Sequence, residues 1–397
     1  MNNLKPLFIV FICLIFSCAK TSSSQESDIL DESLNTAQLQ LSRLLEDAET
    51  ANRNPRTIKN GKIHWTHEKF DWTEGFFPGS CWYLYQFTKD EKWKNAAEKL
   101  QAQFEHHKNI TTNHDLGFIF NSSFGNGYKL TKNEAFKNVM ITAADSLLTR
   151  FNSNVGCIQS WNVDKGWQSK RNWRFPVIID NMMNLELLFE VSKITGDKKY
   201  SKVAIAHANK TLKNHFREDN SSYHVIDYDS ETGKVRSKQT AQGFADESSW
   251  ARGQAWGLYG YTVCYRYTKN KKYLEQAEKI ADYIINYEGT PKDGIPYWDY
   301  NAPSIPNEPR DVSAAAITVS ALLELNKYSQ ESYSPAIDKI MNSLRSEKYT
   351  AKFGENNNFI LKHSVGSIPH NNEIDVPLNY ADYYYLEALI RCKSLKI

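Results

Sequence analysis

Thr195-Gly-Asp-Lys-Lys-Tyr200 and Thr268-Lys-Asn-Lys-Lys-Tyr273 repeat one pattern, a Thr-x-Asp/Asn turn followed by an aromatic residue. Each follows an apolar stretch and leads into another, Val203 to Ala208 in one case and Ala277 to Asp282 in the other. Two more copies are Thr88-Lys-Asp-Glu-Lys-Trp93 and Thr131-Lys-Asn-Glu-Ala-Phe136, and a looser one surrounds Ser329 to Tyr333. Apolar residues on both sides keep helical spacing; Val203, Ala206, His207 and Leu212 share one such stretch. The unit is therefore a helix, a short polar turn and a second helix. First helices are predicted to begin near Glu74, Asp115, Asp180, Trp250, Val312 and Tyr380, with Leu34 to Ala51 supplying the remaining partner. Six hairpins of this kind close into a ring, an all-α (α/α)6 toroid spanning residues 34–397. The insertions Asn152 to Ile179 and Arg217 to Ser249 are expected to build cleft walls at one end. Short strands are expected at Tyr223 to Tyr228 and at Phe359 to His363.

Ahead of the repeats, Lys5 precedes an apolar run from Leu7 to Phe16. That run has the length of a signal-peptide core and is too short to span a bilayer. Ile15-Phe-Ser-Cys18 reads as a relaxed lipobox, which makes residues 1–17 a signal peptide and Cys18 the lipidated first residue of the mature chain. Residues 18–33 are polar and suit a tether. The expectation is an exported monomer at the periplasm or cell surface, touching the bacterial membrane only through its lipid. A net charge of +2 with interspersed signs argues against a nucleic-acid partner. No phosphate-cradling glycine pattern occurs, so no cofactor is expected. Cys81, Cys157, Cys264 and Cys392 are far apart and read as buried thiols. Neither His64-x-x-His67 nor the tandem His106-His107, read as solvated, has a carboxylate at ligand spacing, so no metal is expected.

Asp180 ends Phe175-Pro-Val-Ile-Ile-Asp180 and precedes the apolar run Asn181 to Leu188. By itself that is the signature of a helix N-cap, and Asp115 before Leu116 to Phe120 reads the same way. The ring offers a second reading, because the starts of its inner helices converge on a central cavity. Two carboxylates there would do acid–base work. Helix dipoles favour their charged forms, whereas aromatic burial and mutual repulsion raise their pKa values. Aromatic residues make up 13% of the chain. Trp250, Arg252 and Trp256 crowd the stretch Lys238 to Trp256; the tryptophans serve either as sugar platforms or as core. Arg252 pairs either with a substrate carboxylate or with Asp246 or Glu247. Trp72 is a candidate sugar platform and Glu74 a candidate third carboxylate.

Five motifs then carry a family resemblance. They are Asp71-Trp-Thr-x-Gly-Phe-x-Pro-Gly79, His114-Asp115-Leu-Gly-Phe118, Ile179-Asp-x-Met-Met-Asn-Leu185, Gln242-Gly-x-x-Asp-x-Ser-x-Trp-x-Arg-Gly-Gln-Ala-Trp256 and Asp382-Tyr-x-Tyr-Leu-Glu-Ala-Leu389. From roughly Trp72 to Leu389 the chain resembles the unsaturated glucuronyl hydrolases of glycoside hydrolase family 88. The resemblance implies an (α/α)6 toroid that acts on unsaturated oligosaccharides released by a polysaccharide lyase. It makes Asp180 the general acid/base for hydration of a C4=C5 enol ether, with Asp115 as the assisting carboxylate. Trp72, His114, Trp161, His224, Thr240, Gln242, Trp250, Arg252 and Trp256 fall on substrate-cleft positions. Ser364 and Ser367 match a loop that contacts the neighbouring sugar; members acting on sulfated disaccharides carry a lysine where this chain has Pro369, followed by His370. The alternatives are the sister family of unsaturated rhamnogalacturonyl hydrolases and a non-catalytic glycan-binding lipoprotein.

Overall fold

The computed structural model describes residues 13–395 and explains the repeated turn. Thr88, Thr131, Thr195 and Thr268 each donate their hydroxyl to the carbonyl four residues back, at 2.7–2.8 Å. Each also accepts the N–H two residues ahead, at 3.1–3.2 Å. Between them Lys89, Lys132, Gly196 and Lys269 adopt left-handed backbone, with φ of 60°, 59°, 79° and 55°. Asp90, Asn133, Asp197 and Asn270 then cap the next helix by accepting the N–H two residues on. A few local hydrogen bonds thus end one helix and start the next in the reverse direction.

Helix α1 (Cys13–Ala51) precedes the first hairpin, α2 (Phe76–Thr88) with α3 (Glu91–Ala102). Next, α4 (Leu116–Phe120) continues through a π turn, Asn121–Gly125, into α5 (Asn126–Thr131), and α6 (Glu134–Leu148) returns. Three more pairs follow: α7 (Leu185–Thr195) with α8 (Lys198–Asn214), α9 (Ala251–Thr268) with α10 (Lys271–Asn286), and α11 (Val312–Leu325) with α12 (Ser334–Arg345). Finally α13 (Asn379–Leu395) packs against α1 as the sixth pair. The inner helices α2, α4–α5, α7, α9, α11 and α13 each touch the next, and α13 touches α2, which closes the ring. Their burial fits that place: every residue of α11 is buried, and so is Ala251 to Cys264 of α9. Outer helices bury one stripe only, as with Trp93, Ala96, Ala97 and Leu100 in α3. This is the (α/α)6 toroid.

Some boundaries differ from the sequence expectation. Helix α2 starts at Phe76, and α7 starts only after a 3-10 stretch, Ile179–Asn184. Leu30 is buried and Asp31 pairs with Lys393, so packing begins ahead of residue 34. Residues 1–12 of the expected signal peptide, and the side chain of Cys18, lie outside the described residues. Among the described residues no helix is long and apolar enough to cross a membrane. The segment Phe359 to His363 is not a strand. The Asp382 carboxylate takes the N–H groups of Ile360 and Leu361, at 2.9 and 2.8 Å, and these donors are lost to strand pairing.

The insertions carry the β structure. Phe175–Ile178, Val225–Tyr228 and Val235–Gln239 form an antiparallel sheet in which Val225 pairs with Ile178 on one side and Gln239 on the other. Ser364–Ser367 and Asn372–Val376 form a hairpin.

Glycine at 117 lets α4 approach the 3-10 stretch: a Cβ there would lie 2.3 Å from Asn184 Cα. Gly117→Ala is expected to cost about 1–3 kcal/mol through overpacking, measured by urea unfolding. An unchanged midpoint would show that this contact yields.

Candidate active site

Neither Asp115 nor Asp180 caps a helix. Asp115 precedes α4, but its side chain makes no capping bond, and Asp180 lies inside the 3-10 stretch. Both side chains line one cavity instead, together with Trp72, His114, Phe118, Trp161, Ile178, Gln242 and Arg252. Asp115 is 8% exposed and Asp180 9%, so both carboxyls are largely stripped of water.

The sheet places Asp180. Because Ile178 pairs antiparallel with Val225, the residues just beyond that pair, Ile179 and His224, also lie side by side. The Ile179 N–H donates to the His224 carbonyl at 3.0 Å. This leaves His224 Nε2 3.6 Å from Asp180 Oδ2. The Nδ1 of His224 accepts the N–H groups of Ala241 and Gln242, each at 3.1 Å, so the ring's proton sits on Nε2 and faces Asp180. Across the cavity His114 Nε2 is 3.3 Å from Asp115 Oδ1. Burial keeps both rings neutral, pushing His114 down to about 3 and His224 well below the usual range.

The same burial raises both carboxyls. Asp180 is pushed up to about 7, against the opposing pull of Arg252. Asp115 is raised well above the ordinary carboxyl range by burial first and by the charge of Asp180 second. Two acids this close in one cavity titrate as a pair, with one proton held between them over the range in which the pair carries a single charge. The site can then give a proton and take one back.

Residues 48–393 match Glycosyl Hydrolase Family 88. The chain belongs to that family. The unsaturated glucuronyl hydrolase of Formosa agariphila is 48% identical over 349 residues, 87% of this chain and 86% of that protein. The crystal structure of an unsaturated glucuronyl hydrolase specific for heparin aligns with a TM-score of 0.88 at 45% identity, covering 93% of this chain and 98% of that one. A Streptococcus agalactiae unsaturated glucuronyl hydrolase variant complexed with dGlcA-GalNAc6S aligns at 0.77 with 31% identity, covering 91% of each chain.

In this family 88 chain Arg252 is committed to the fold as well as to the cavity. Its guanidinium pairs with Asp311 at 2.8 Å, donates to the carbonyls of Val365 and Gly366, and lies over the Trp250 ring. The candidates Asp246 and Glu247 are engaged elsewhere, with the Thr240 N–H and with Arg217. Arg252 nevertheless lines the inner cavity and an outer compartment, shared with Trp72 and Gln242. Ser367 reaches that outer compartment and bonds His370 Nδ1 at 2.7 Å, whereas Ser364 is buried and lines neither cavity.

Other expectations are corrected. Trp256 is fully buried behind Phe118 and Tyr384, so it braces the cavity wall from the core and does not line it. Trp250 is likewise buried, backing His224 with ring centroids 4.7 Å apart. The Thr240 hydroxyl accepts the Gly243 N–H at 2.8 Å and shapes the loop beside His224. Glu74 lines a different cavity, bonded to His107 at 2.7 Å. His107 is therefore buried, not solvated, and only His106 is exposed. Glu74 is pushed up to about 9 by burial and by the charge of Asp71.

Sequence reading missed Arg56 and Trp167, both in the outer compartment. Arg56 bridges Asp71 at 2.8 Å and Glu373 at 2.6 Å, tying the Trp72 loop to the Ser364 hairpin. It sits outside the helical repeat and carries no local signal. Trp167 packs on His370, and its place between Trp161 and Trp173 in an aromatic-rich insertion was the available clue.

Proposed function

We propose that this hydrolase releases 4,5-unsaturated glucuronic acid from the non-reducing end of oligosaccharides left by a polysaccharide lyase. The observation that carries this reading is the pair of raised carboxyls, Asp115 and Asp180, in one cavity with a neutral imidazole N–H beside each. Asp180, near 7, suits a group that both gives and takes a proton at neutral pH. It protonates C4 of the enol ether, and positive charge builds at C5 beside the ring oxygen. The Asp115 carboxylate steadies that charge across the cavity. Asp180, now ionised, removes a proton from the water that adds to C5. The resulting hemiketal opens and the glycosidic bond breaks without attack at C1. The spacing rule that separates retaining from inverting glycosidases therefore has no purchase on this reaction. The outer compartment receives the next sugar, with Trp72 and Trp167 as ring faces and Ser367, His370, Arg56 and Glu373 as polar contacts.

The test is loss of ultraviolet absorbance from unsaturated disaccharides of hyaluronan, chondroitin, heparin, ulvan and pectin. Turnover of a glucuronyl member supports the reading; turnover of the pectin product alone shifts it to the rhamnogalacturonyl reaction, and no turnover removes it. A bell-shaped pH profile is expected for kcat. Activity falls at low pH as both carboxyls become protonated, and at high pH as the shared proton leaves. For location, the run ending at Cys18 supports an exported, lipid-anchored protein. Incorporation of labelled palmitate that Cys18→Ala abolishes is the expected result.

A further inference from the structure

Asn184 is fully buried at the end of the 3-10 stretch, and its amide orientation is fixed from two directions. Its Oδ1 accepts the Phe118 N–H at 3.1 Å. Its Nδ2 lies 3.4 Å from Asn181 Oδ1, and the Asn181 amide is itself oriented by donating to the Ile158 carbonyl at 2.9 Å. A flipped Asn184 would set oxygen against oxygen and N–H against N–H. The fixed NH2 points at His114 Nδ1, 3.2 Å away. An amide nitrogen only donates, so Nδ1 must be the bare nitrogen of a neutral ring. The proton is on Nε2, which lies 3.3 Å from Asp115 Oδ1, beside the carboxyl but not aligned in a hydrogen bond with it.

We propose that Asn184 is a positioning residue for the hydration reaction, locking His114 in the tautomer that presents an N–H to Asp115. An N–H favours the ionised carboxylate, which is the form that steadies charge at C5. A lone pair there would favour protonated Asp115 and leave the cavity without that charge. His224 receives the equivalent lock on the Asp180 side from backbone amides, so Asn184 is the half of the device that side-chain substitution can reach. The other groups acting on His114 are Arg150, which opposes its protonation, the Asn181 side chain, which favours it, and His207, whose Nδ1 is taken by the Ile158 N–H; Asp115 itself also faces Asp180, Asp71 and Arg150. The inference rests on Asp115 and Asp180 being the acid–base pair.

The test reads the tautomer directly. In 15N-histidine enzyme, long-range 1H–15N spectra assigned with His114→Gln should show His114 protonated at Nε2 and bare at Nδ1. The reverse pattern in wild type overturns the proposal without any variant. Asn184→Asp keeps the acceptor for Phe118 but replaces the donor facing His114 with an acceptor. It is expected to flip the tautomer and to move the acid limb of the kcat profile up by about one pH unit, a roughly tenfold loss on that limb. KM should change less than about twofold, since a limb shift of that size reports protonation and not binding. The charge that Asn184→Asp adds would, acting alone, shift the limb equally in a His114→Gln background, and that result would overturn the proposal; a shift that vanishes there supports it. The tautomer is read in resting enzyme, so its failure is separate from any failure to turn over unsaturated substrates.

Discussion

Asp180→Asn is expected to lower kcat by about 10³-fold or more while leaving substrate affinity within a few-fold of wild type. The amide preserves the shape of the cavity wall that Asp180 shares with Trp161, Gln242 and Arg252, so binding contacts survive. It cannot deliver a proton to C4 or remove one from water, and both half-reactions are lost together. Absorbance decay at saturating disaccharide measures the first effect, and calorimetric titration of the variant measures the second. Activity within tenfold of wild type would assign the proton to another group. The substitution also has a stability signature. Burial raises the Asp180 pKa from its ordinary value to about 7, so the folded protein binds this proton more tightly than the unfolded chain does. Stability therefore falls as pH rises from about 4 to about 7, and the asparagine variant, with nothing to titrate there, is spared that part of the loss.

Arg252→Met is expected to destabilise the fold by about 3–5 kcal/mol and to raise KM sharply. The reason is Asp311, which is fully buried and would lose the guanidinium that pairs with it. Asp311 also caps α11 through the Ser313 N–H, so the strain reaches an inner helix. The hairpin carbonyls of Val365 and Gly366 lose their donor as well, which loosens the hairpin that lines the outer compartment. Urea unfolding gives the stability change. Adding Asp311→Asn should return part of the loss, because a buried pair removed together costs less than one charge left behind. If the double variant is no better than the single one, the ion pair is not the cause.

What could be read in the sequence was what local chemistry decides. The Thr-x-Asp/Asn turns contain their own stop and start signals, so the hairpins and their number were legible. Asp115 and Asp180 stood out by position, yet capping and catalysis predict the same residue at the same place. Only the direction of the side chains separates the two, and in the folded chain neither carboxyl turns back onto its helix. Arg252 had acidic neighbours in sequence, but its partner comes from the start of α11, which no spacing rule could indicate. Trp256 was assigned to the cleft because it shares a motif with Arg252. On α9 its ring turns toward Phe118 and Tyr384, in the core. Asn184 stood in a quoted motif without a role, because the partners that fix it, Phe118 and His114, lie some seventy positions earlier in the chain.

Five of the six helix pairs consist of consecutive segments and can assemble as the polypeptide lengthens. The sixth, α1 with α13, joins the first helix to the last and forms a seam. The wall stays open until α13 has been made, and the zipping of α13 onto α1 bears the largest loop-closure cost. New ends opened at the Ser329 to Tyr333 turn, with the old termini linked, would turn this seam into an ordinary hairpin and move the late-forming joint to the far side of the ring.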